Sequence, residues 1–160
     1  MNKKTAEYFL KTASVIFSLL IITFIFSQSL LPAGESQAES GRILSLFNGL
    51  LTDAGIGPVL SSFFVRKFAH FTEFAVLGTS FFMLFLSFGV KPYYFSLFAF
   101  LSTSMVAVCD ECLQLISDGR ACQISDMLLD SFGGFVAITV LSLIYCIFIR
   151  IKRRKSPKYE

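Results

Sequence analysis

Apolar and polar positions alternate along this chain in long blocks, four apolar runs separated by short polar breaks. Residues 12–34 carry no charge. About 20 apolar residues cross a ~30 Å hydrocarbon core at about 1.5 Å per residue, so this run predicts a first membrane helix over about 8–28. A cleaved signal peptide is the alternative, but the run is long for one, and Ala33 with Leu31 two positions before it makes a poor cleavage site. The helix ends in the polar tripeptide Ser27-Gln28-Ser29, with Ser27 and Gln28 on the outer side, and Pro32, Gly34 and the polar string ESQAESGR then read as a loop. Next, Ile43, Leu44, Leu46, Phe47, Leu50 and Leu51 recur at helical spacing. They predict a short amphipathic helix on the membrane surface or, equally well, a re-entrant piece packed on the bundle. Gly55, Gly57 and Pro58 end it.

The second long run opens with charged groups and turns apolar by its middle, predicting a helix over about 62–88. Lys91-Pro92 marks a tight turn. A third helix follows over about 93–116, apolar until Cys109. Ser117-Asp118-Gly119-Arg120 is the next turn, with Asp118 an ordinary turn residue, and a fourth helix runs over about 124–150 into a solvated basic tail. The pattern predicts an all-α membrane protein: four transmembrane helices, a short amphipathic interfacial helix between the first and second, and a single domain over residues 1–160. No internal repeat is visible.

Composition supports this reading. The chain has 160 residues, 54% hydrophobic and 16% charged, with 20 Phe and no Trp, and its mean hydropathy is +0.69. A soluble domain of this size has too little interior for so many apolar side chains, and a second, soluble domain has no room. The four cysteines, Cys109, Cys112, Cys122 and Cys146, follow no zinc-ligand spacing and read as small hydrophobes. Cys109-x-x-Cys112 has a redox spacing without a thioredoxin-like context.

Charge distribution adds an orientation. In the four-helix arrangement one side carries Lys3, Lys4, Lys11, Lys91, Arg150, Lys152, Arg153, Arg154, Lys155 and Lys158, and the other only Arg42, Arg66, Lys67 and Arg120. Ten cationic residues against four put both termini in the cytoplasm. The basic tail serves first as a topology anchor, with binding to anionic lipid as the sharper alternative. No nucleic-acid partner is expected.

This topology draws the membrane-incompatible residues together. The second helix enters from outside with Arg66, Lys67, His70 and Glu73. The third reaches the outside with Asp110, Glu111 and Gln114. Arg120 lies in the turn, and the fourth helix starts back with Asp126 and Asp130. Each ionisable group at a helix centre costs about 2.5–3.5 kcal/mol on insertion scales, less near the ends, so the groups should face protein or water and meet partners. Residues 66, 70 and 73 share a helix face, and Gln114 lies at i, i+3 from Glu111 and at i, i+4 from Asp110. Asp126, Asp130, Gly133 or Gly134, and Ala137 form another stripe, whose small residues admit a neighbouring helix. Three facing stripes predict an outward-open polar cavity roughly a third of the way into the membrane.

Bland readings stand beside this one. Arg66 and Lys67 fit snorkelling interface anchors, His70 with Glu73 fits a satisfied hydrogen-bonded pair, and Asp126 fits an N-terminal helix charge favoured by the dipole. On the functional reading, Arg66, Lys67 and Arg120 hold a phosphate or carboxylate. The surplus acids either bind a hard divalent cation or act as general acids and bases, with His70 as a candidate partner. Candidate catalytic residues are His70, Glu73, Asp110, Glu111 and Asp130. All ten polar-layer residues, from Arg66 to Asp130, are candidate ligand contacts. No metal ligand is assigned, and no cofactor is identified. Neither a Ser-His-Asp arrangement nor a Gly-rich phosphate loop is present.

These residues resemble the VanZ-like family of small bacterial membrane proteins. The matching pieces are FSQSLLPAGESQAES, RKFAHFTEFAVLG, DECLQ and R-x5-D-x3-D-x2-GG, over about residues 24–137. The family's K-x2-H-x2-E pattern falls on Lys67, His70 and Glu73. Its D-E-x2-Q falls on Asp110, Glu111 and Gln114, and its R…D…D on Arg120, Asp126 and Asp130. Ser117-Asp118-Gly119 stands where a longer loop is expected. The resemblance implies a multi-pass protein of the bacterial cytoplasmic membrane and envelope, whose namesake lowers susceptibility to the lipid-tailed glycopeptide teicoplanin. It supplies no established reaction. Three functions follow as expectations: binding of a membrane lipid or amphipathic envelope ligand (a lipid head group, a lipid-linked wall precursor or a lipoglycopeptide), hydrolysis or transfer on a phosphate-bearing lipid, or a non-catalytic scaffold with unidentified protein partners.

Overall fold

A computed structural model describes residues 2–55, 57 and 60–155. Five helices account for almost all of them: α1 (Lys3–Ser29), α2 (Ala33–Asp53), α3 (Ser62–Ser87), α4 (Pro92–Gln114) and α5 (Ile124–Lys155). Four of these, α1, α3, α4 and α5, are long and apolar enough to cross a membrane. Their boundaries fall within one or two residues of the expected ones for α3 and α4. By contrast, α1 begins five residues earlier and α5 ends five later, because Lys, Arg and Glu at a helix end are good helix formers that hydropathy alone discounts.

Local chemistry sets the ends. Ser61 caps α3, its hydroxyl accepting the Phe64 N–H at 3.2 Å. Pro92 opens α4 at the position where a missing N–H is harmless. Between these two helices the chain reverses at Gly89, whose φ of 71° suits glycine, while the Gly89 and Val90 N–H groups bond back to the Leu86 and Phe85 carbonyls at 3.0 and 3.2 Å.

One element corrects the sequence reading. The string ESQAESGR, expected as a loop, lies inside α2, which starts directly after Pro32. Gly and Ser within a helix each cost at most about 1 kcal/mol relative to Ala, and Glu35 in the first turn complements the helix dipole. The Ala33 N–H also bonds to the Asp118 carbonyl at 3.1 Å, which ties the start of α2 to the α4–α5 connection. None of α2's residues is buried; Ile43, Leu46, Phe47 and Leu50 are exposed. Pro58 and Lys158, used in the sequence reading, lie outside the described residues.

The long helices run up and down. Lys11 near the start of α1 sits over the Phe88 ring at the end of α3. Ser18 of α1 meets Ser80 of α3 at 2.5 Å, and Ser96 of α4 meets Ser142 of α5 at 2.9 Å. Among the described residues α3 is the central helix, packing against each of the other four. Two apolar clusters follow its length, one of Ile25, Phe74, Leu77 and Ala107, the other of Phe82, Phe95, Ala99 and Ile138. The second is built on edge-on aromatic contacts, Phe82 to Phe95 at 4.8 Å and Phe95 to Tyr145 at 5.3 Å.

Glycines on α3 and α5 let the two helices approach closely. A Cβ on Gly78 would stand 2.9 Å from the Gly134 Cα, and one on Gly133 would stand 2.4 Å from the Phe71 carbonyl oxygen. The small-residue stripe expected on the fourth span therefore does bring two helices together. Leu19, Leu20, Phe24, Met105, Leu128, Leu143 and Phe148, among many others, remain exposed. Such a girdle is untenable in water and natural against lipid.

Candidate functional site

All the ionisable groups singled out in α3, α4 and α5 collect at the end of the bundle opposite the termini. Asp110, Glu111, Gln114 and Asp130 are buried, and Lys67, His70, Glu73, Arg120 and Asp126 are half-buried. Arg66 is exposed but lines the same hollow. The gathering follows from topology. Each of these helices either starts or finishes at this end, so groups near one terminus of each sequence run share a layer.

Within the layer some groups are already occupied. Lys67 of α3 forms an ion pair with Asp126 of α5, which also accepts the Ser125 hydroxyl at 3.1 Å. Asp126 sits in the first turn of α5, so the dipole reading and the pairing reading both apply. Glu111 is engaged at both oxygens, accepting Gln114 Nε2 at 2.9 Å and the Gln123 backbone N–H at 2.8 Å. Asp110 accepts the Ser29 hydroxyl at 2.6 Å and, weakly, Gln114 Nε2 at 3.4 Å.

Others are not. Arg66 and Arg120 form no ion pair among the described residues; Arg120 donates only to the Gln28 carbonyl, at 3.2 Å. Burial lowers the Arg120 pKa and the nearby Asp110 opposes that shift, so the guanidinium stays charged. His70 Nδ1 lies 3.8 Å from Asp130 Oδ1, too far for a direct hydrogen bond. Both Asp130 oxygens and His70 Nδ1 are buried without a hydrogen-bond partner. The expected His70–Glu73 pair is absent among the described residues; His70 faces Asp130 instead.

Three hollows adjoin. A polar cavity of about 220 Å³ is lined by Arg66, Lys67, His70, Gln114, Arg120 and Asp126, with Ala33, Ser36 and the α4–α5 connection completing the wall. A second, of about 180 Å³, shares Ser36, Arg66, His70 and Arg120 with it and adds Gln28, Glu39 and Glu73. That one in turn shares Phe24, Ala69 and Glu73 with an apolar groove of about 470 Å³ between α1 and α3, walled also by Leu20, Ile21, Phe68, Thr72 and Val76.

Sequence reasoning missed three supports. Ser29, read only as part of a helix end, is fully buried and holds Asp110. Ser117, read as turn, is buried and donates to the Ser29 carbonyl at 2.9 Å. Gln123 offers Glu111 a backbone N–H that no side-chain pattern could signal. Ser27 is exposed and bonds within its own helix, to the Phe24 carbonyl at 2.7 Å, so it is not part of the layer. The four cysteines are free, and Cys109 and Cys112 lie exposed on the outer face of α4.

Four membrane-length helices enclosing ionisable groups define a multi-pass membrane protein with a polar site inside its bundle. The VanZ/LLP1 family pattern matches residues 14–148, and the chain belongs to that family. No curated protein and no solved structure gave a match.

Proposed function

We propose that this VanZ-family protein holds the anionic head group of an amphipathic envelope molecule at Arg66 and Arg120, with its acyl chain in the groove between α1 and α3. The observation that carries this reading is the shared wall between the polar hollows and the apolar groove at Phe24, Ala69 and Glu73. A head group and a chain have different solvation needs, and here they find adjoining compartments. Two guanidiniums without ion-pair partners among the described residues supply bidentate donors for a phosphate or carboxylate. Lys67, already paired with Asp126, supports the wall rather than the ligand. On this reading the protein sits in the bacterial cytoplasmic membrane with both termini inside, as the lysine and arginine distribution argues, and the cavity opens toward the outer leaflet and cell wall.

The test is lipid binding to the full-length protein in detergent. Phosphatidylglycerol should bind more tightly than phosphatidylcholine, and Arg66→Gln with Arg120→Gln should remove about tenfold or more of that preference, the effect of losing one charge-assisted contact. Equal binding of the two lipids, or preference unchanged in the double variant, refutes the assignment. Protection of a susceptible bacterium against teicoplanin but not vancomycin, lost in the same variant, would extend the site to a lipid-tailed glycopeptide.

His70 and Asp130, which face each other at 3.8 Å without hydrogen-bond partners for His70 Nδ1 or the Asp130 oxygens among the described residues, favour a second reading: acid–base hydrolysis or transfer on a phosphate-bearing lipid. Turnover of a lipid phosphate by the wild type and not by His70→Ala would support it, and no turnover across a panel would discard it.

A further inference from the structure

One helical turn beyond Arg66 on α3, His70 meets carboxylates from two other helices, Asp110 of α4 and Asp130 of α5. One ligand atom from each lies within 4.8 Å of the others. Asp110 and Asp130 are fully buried and His70 is half-buried. The bonding around Asp130 sets this cluster apart from an ordinary polar contact between helices. Among the described residues neither of its oxygens has a hydrogen-bond partner, although both are buried, and His70 Nδ1, which faces one of them, has none either. The large majority of buried polar side-chain atoms are hydrogen-bonded, and three unpaired ones facing a common point call for an explanation such as a bound ion. Two helices thus aim three unsatisfied atoms at a common point, while Lys67, the cation that could have answered them from α3, is bound to Asp126.

We propose that His70, Asp110 and Asp130 bind one divalent transition-metal ion, with Zn2+ the best fit. A divalent ion balances two carboxylates with the imidazole neutral, and its bonds satisfy the three unpartnered atoms. One imidazole nitrogen with carboxylate oxygens suits zinc better than calcium or magnesium, which favour all-oxygen shells. Two donors each about 2.1 Å from a common zinc stand about 3.4 Å apart at the tetrahedral angle, so ligand atoms that lie within 4.8 Å of one another draw in by up to about 1.4 Å on binding. Asp110 is already oriented for the task, because Ser29 donates to its Oδ1 at 2.6 Å and Gln114 reaches its Oδ2 at 3.4 Å. His70 also lines the hollows that hold Arg66 and Arg120, which places the α3 ligand of the cluster at the cavity wall. The inference is independent of any lipid ligand, and metal alone tests it.

The full-length protein in detergent is stripped with chelator, equilibrated with Zn2+ and assayed for bound metal and affinity, with Co2+ absorption as a second readout of coordination. The wild type should take up about one equivalent, with no thiolate-to-Co2+ charge-transfer band, as nitrogen and oxygen ligation requires. Asp130→Asn and His70→Gln should each weaken binding by more than about tenfold, the lower end of the loss seen when even an outer-shell partner is removed. Asp53→Asn, the same change at an exposed carboxylate, should leave it unaltered. If Asp130→Asn does not fold, His70→Gln at its half-buried position decides the matter. No stoichiometric uptake, uptake unchanged in His70→Gln, or uptake lost only when Cys109 and Cys112 are replaced by alanine would each overturn the proposal.

Discussion

The Phe71 carbonyl oxygen of α3 and Gly133 of α5 are so close that a methyl group on Gly133 would come within 2.4 Å of that oxygen. The oxygen belongs to a helix backbone and cannot swing aside, so the helices must part to admit even one carbon. Gly133→Ala should therefore destabilise the bundle by about 1–3 kcal/mol or more, despite the gain of up to about 1 kcal/mol in helix propensity. The neighbouring Gly134 differs in kind: its added Cβ would meet the Thr103 γ-methyl at 2.5 Å, a side chain rather than backbone. Thr103→Ser removes that methyl while keeping the hydroxyl that bonds to the Ala99 carbonyl. Thermal unfolding in detergent should then show Thr103→Ser rescuing Gly134→Ala and leaving Gly133→Ala unrescued.

Lys67 and its neighbour Arg66 should separate under mutation although both are cationic and adjacent. Lys67 pairs with Asp126 across α3 and α5, each side chain about one-fifth exposed (21% and 21%). Such a pair lies between the about 1 kcal/mol of an exposed ion pair and the about 3–5 kcal/mol lost on breaking a buried one. Lys67→Met should lower stability by an intermediate amount, and Lys67→Met with Asp126→Leu should recover most of it. Arg66→Gln should leave the unfolding midpoint within about 0.5 kcal/mol of wild type, as exposed substitutions do. It should weaken anionic-lipid binding. Equal stability losses for both single variants would return Arg66 to a structural role.

The four spans were legible because hydropathy is a property of contiguous residues and survives without tertiary knowledge. The polar layer was legible for a related reason: helical spacing and alternating direction bring Arg66, His70, Asp110 and Asp130 to one end whatever the details of packing. What lay beyond the sequence was partnership. Nothing local tells that Ser29 answers Asp110, 81 residues away, or that Lys67 is consumed by Asp126, 59 residues away. The first turns of α2 were misread because Gly34, Ser36, Ser40 and Gly41 break the apolar stripe that marks a helix, while backbone bonding, including that from Ala33 to Asp118, continues regardless.

Glu111 illustrates how partnership changes the design of a test. With Gln114 Nε2 on one oxygen and the Gln123 N–H on the other, it fastens the α4–α5 connection to the end of α4. Glu111→Gln keeps the shape but turns one acceptor into a donor that faces another donor. The expected loss is about 1–3 kcal/mol, with faster amide exchange over residues 115–123. If the wild type protects against teicoplanin, loss of that protection in this variant should come with reduced protein level, whereas Arg66→Gln should lose it at full level. Amide exchange unchanged over that connection would show that Glu111 has little structural role and return it to the ligand site.

Cys122, in the α4–α5 connection, reports both orientation and local field. If the termini are cytoplasmic, a membrane-impermeant maleimide added to intact cells should label Cys122 in a variant lacking Cys109, Cys112 and Cys146. A cysteine placed at Lys91, at the opposite end of the bundle, should react only after permeabilisation. Partial burial, with Glu111 and Cys112 beside it, raises the Cys122 pKa above the ordinary thiol value. The thiolate is the reactive form, and a raised pKa leaves less of it at any pH below that value. The curve of labelling rate against pH should thus lie to the alkaline side of that for an exposed thiol. Replacing Glu111 by Gln removes one of the negative neighbours and should move the curve back toward neutral pH. Labelling of the Lys91→Cys site, and not of Cys122, in intact cells would invert the orientation and turn the arginine-lined cavity toward the cytoplasm, where its ligand would have to be sought in the inner leaflet.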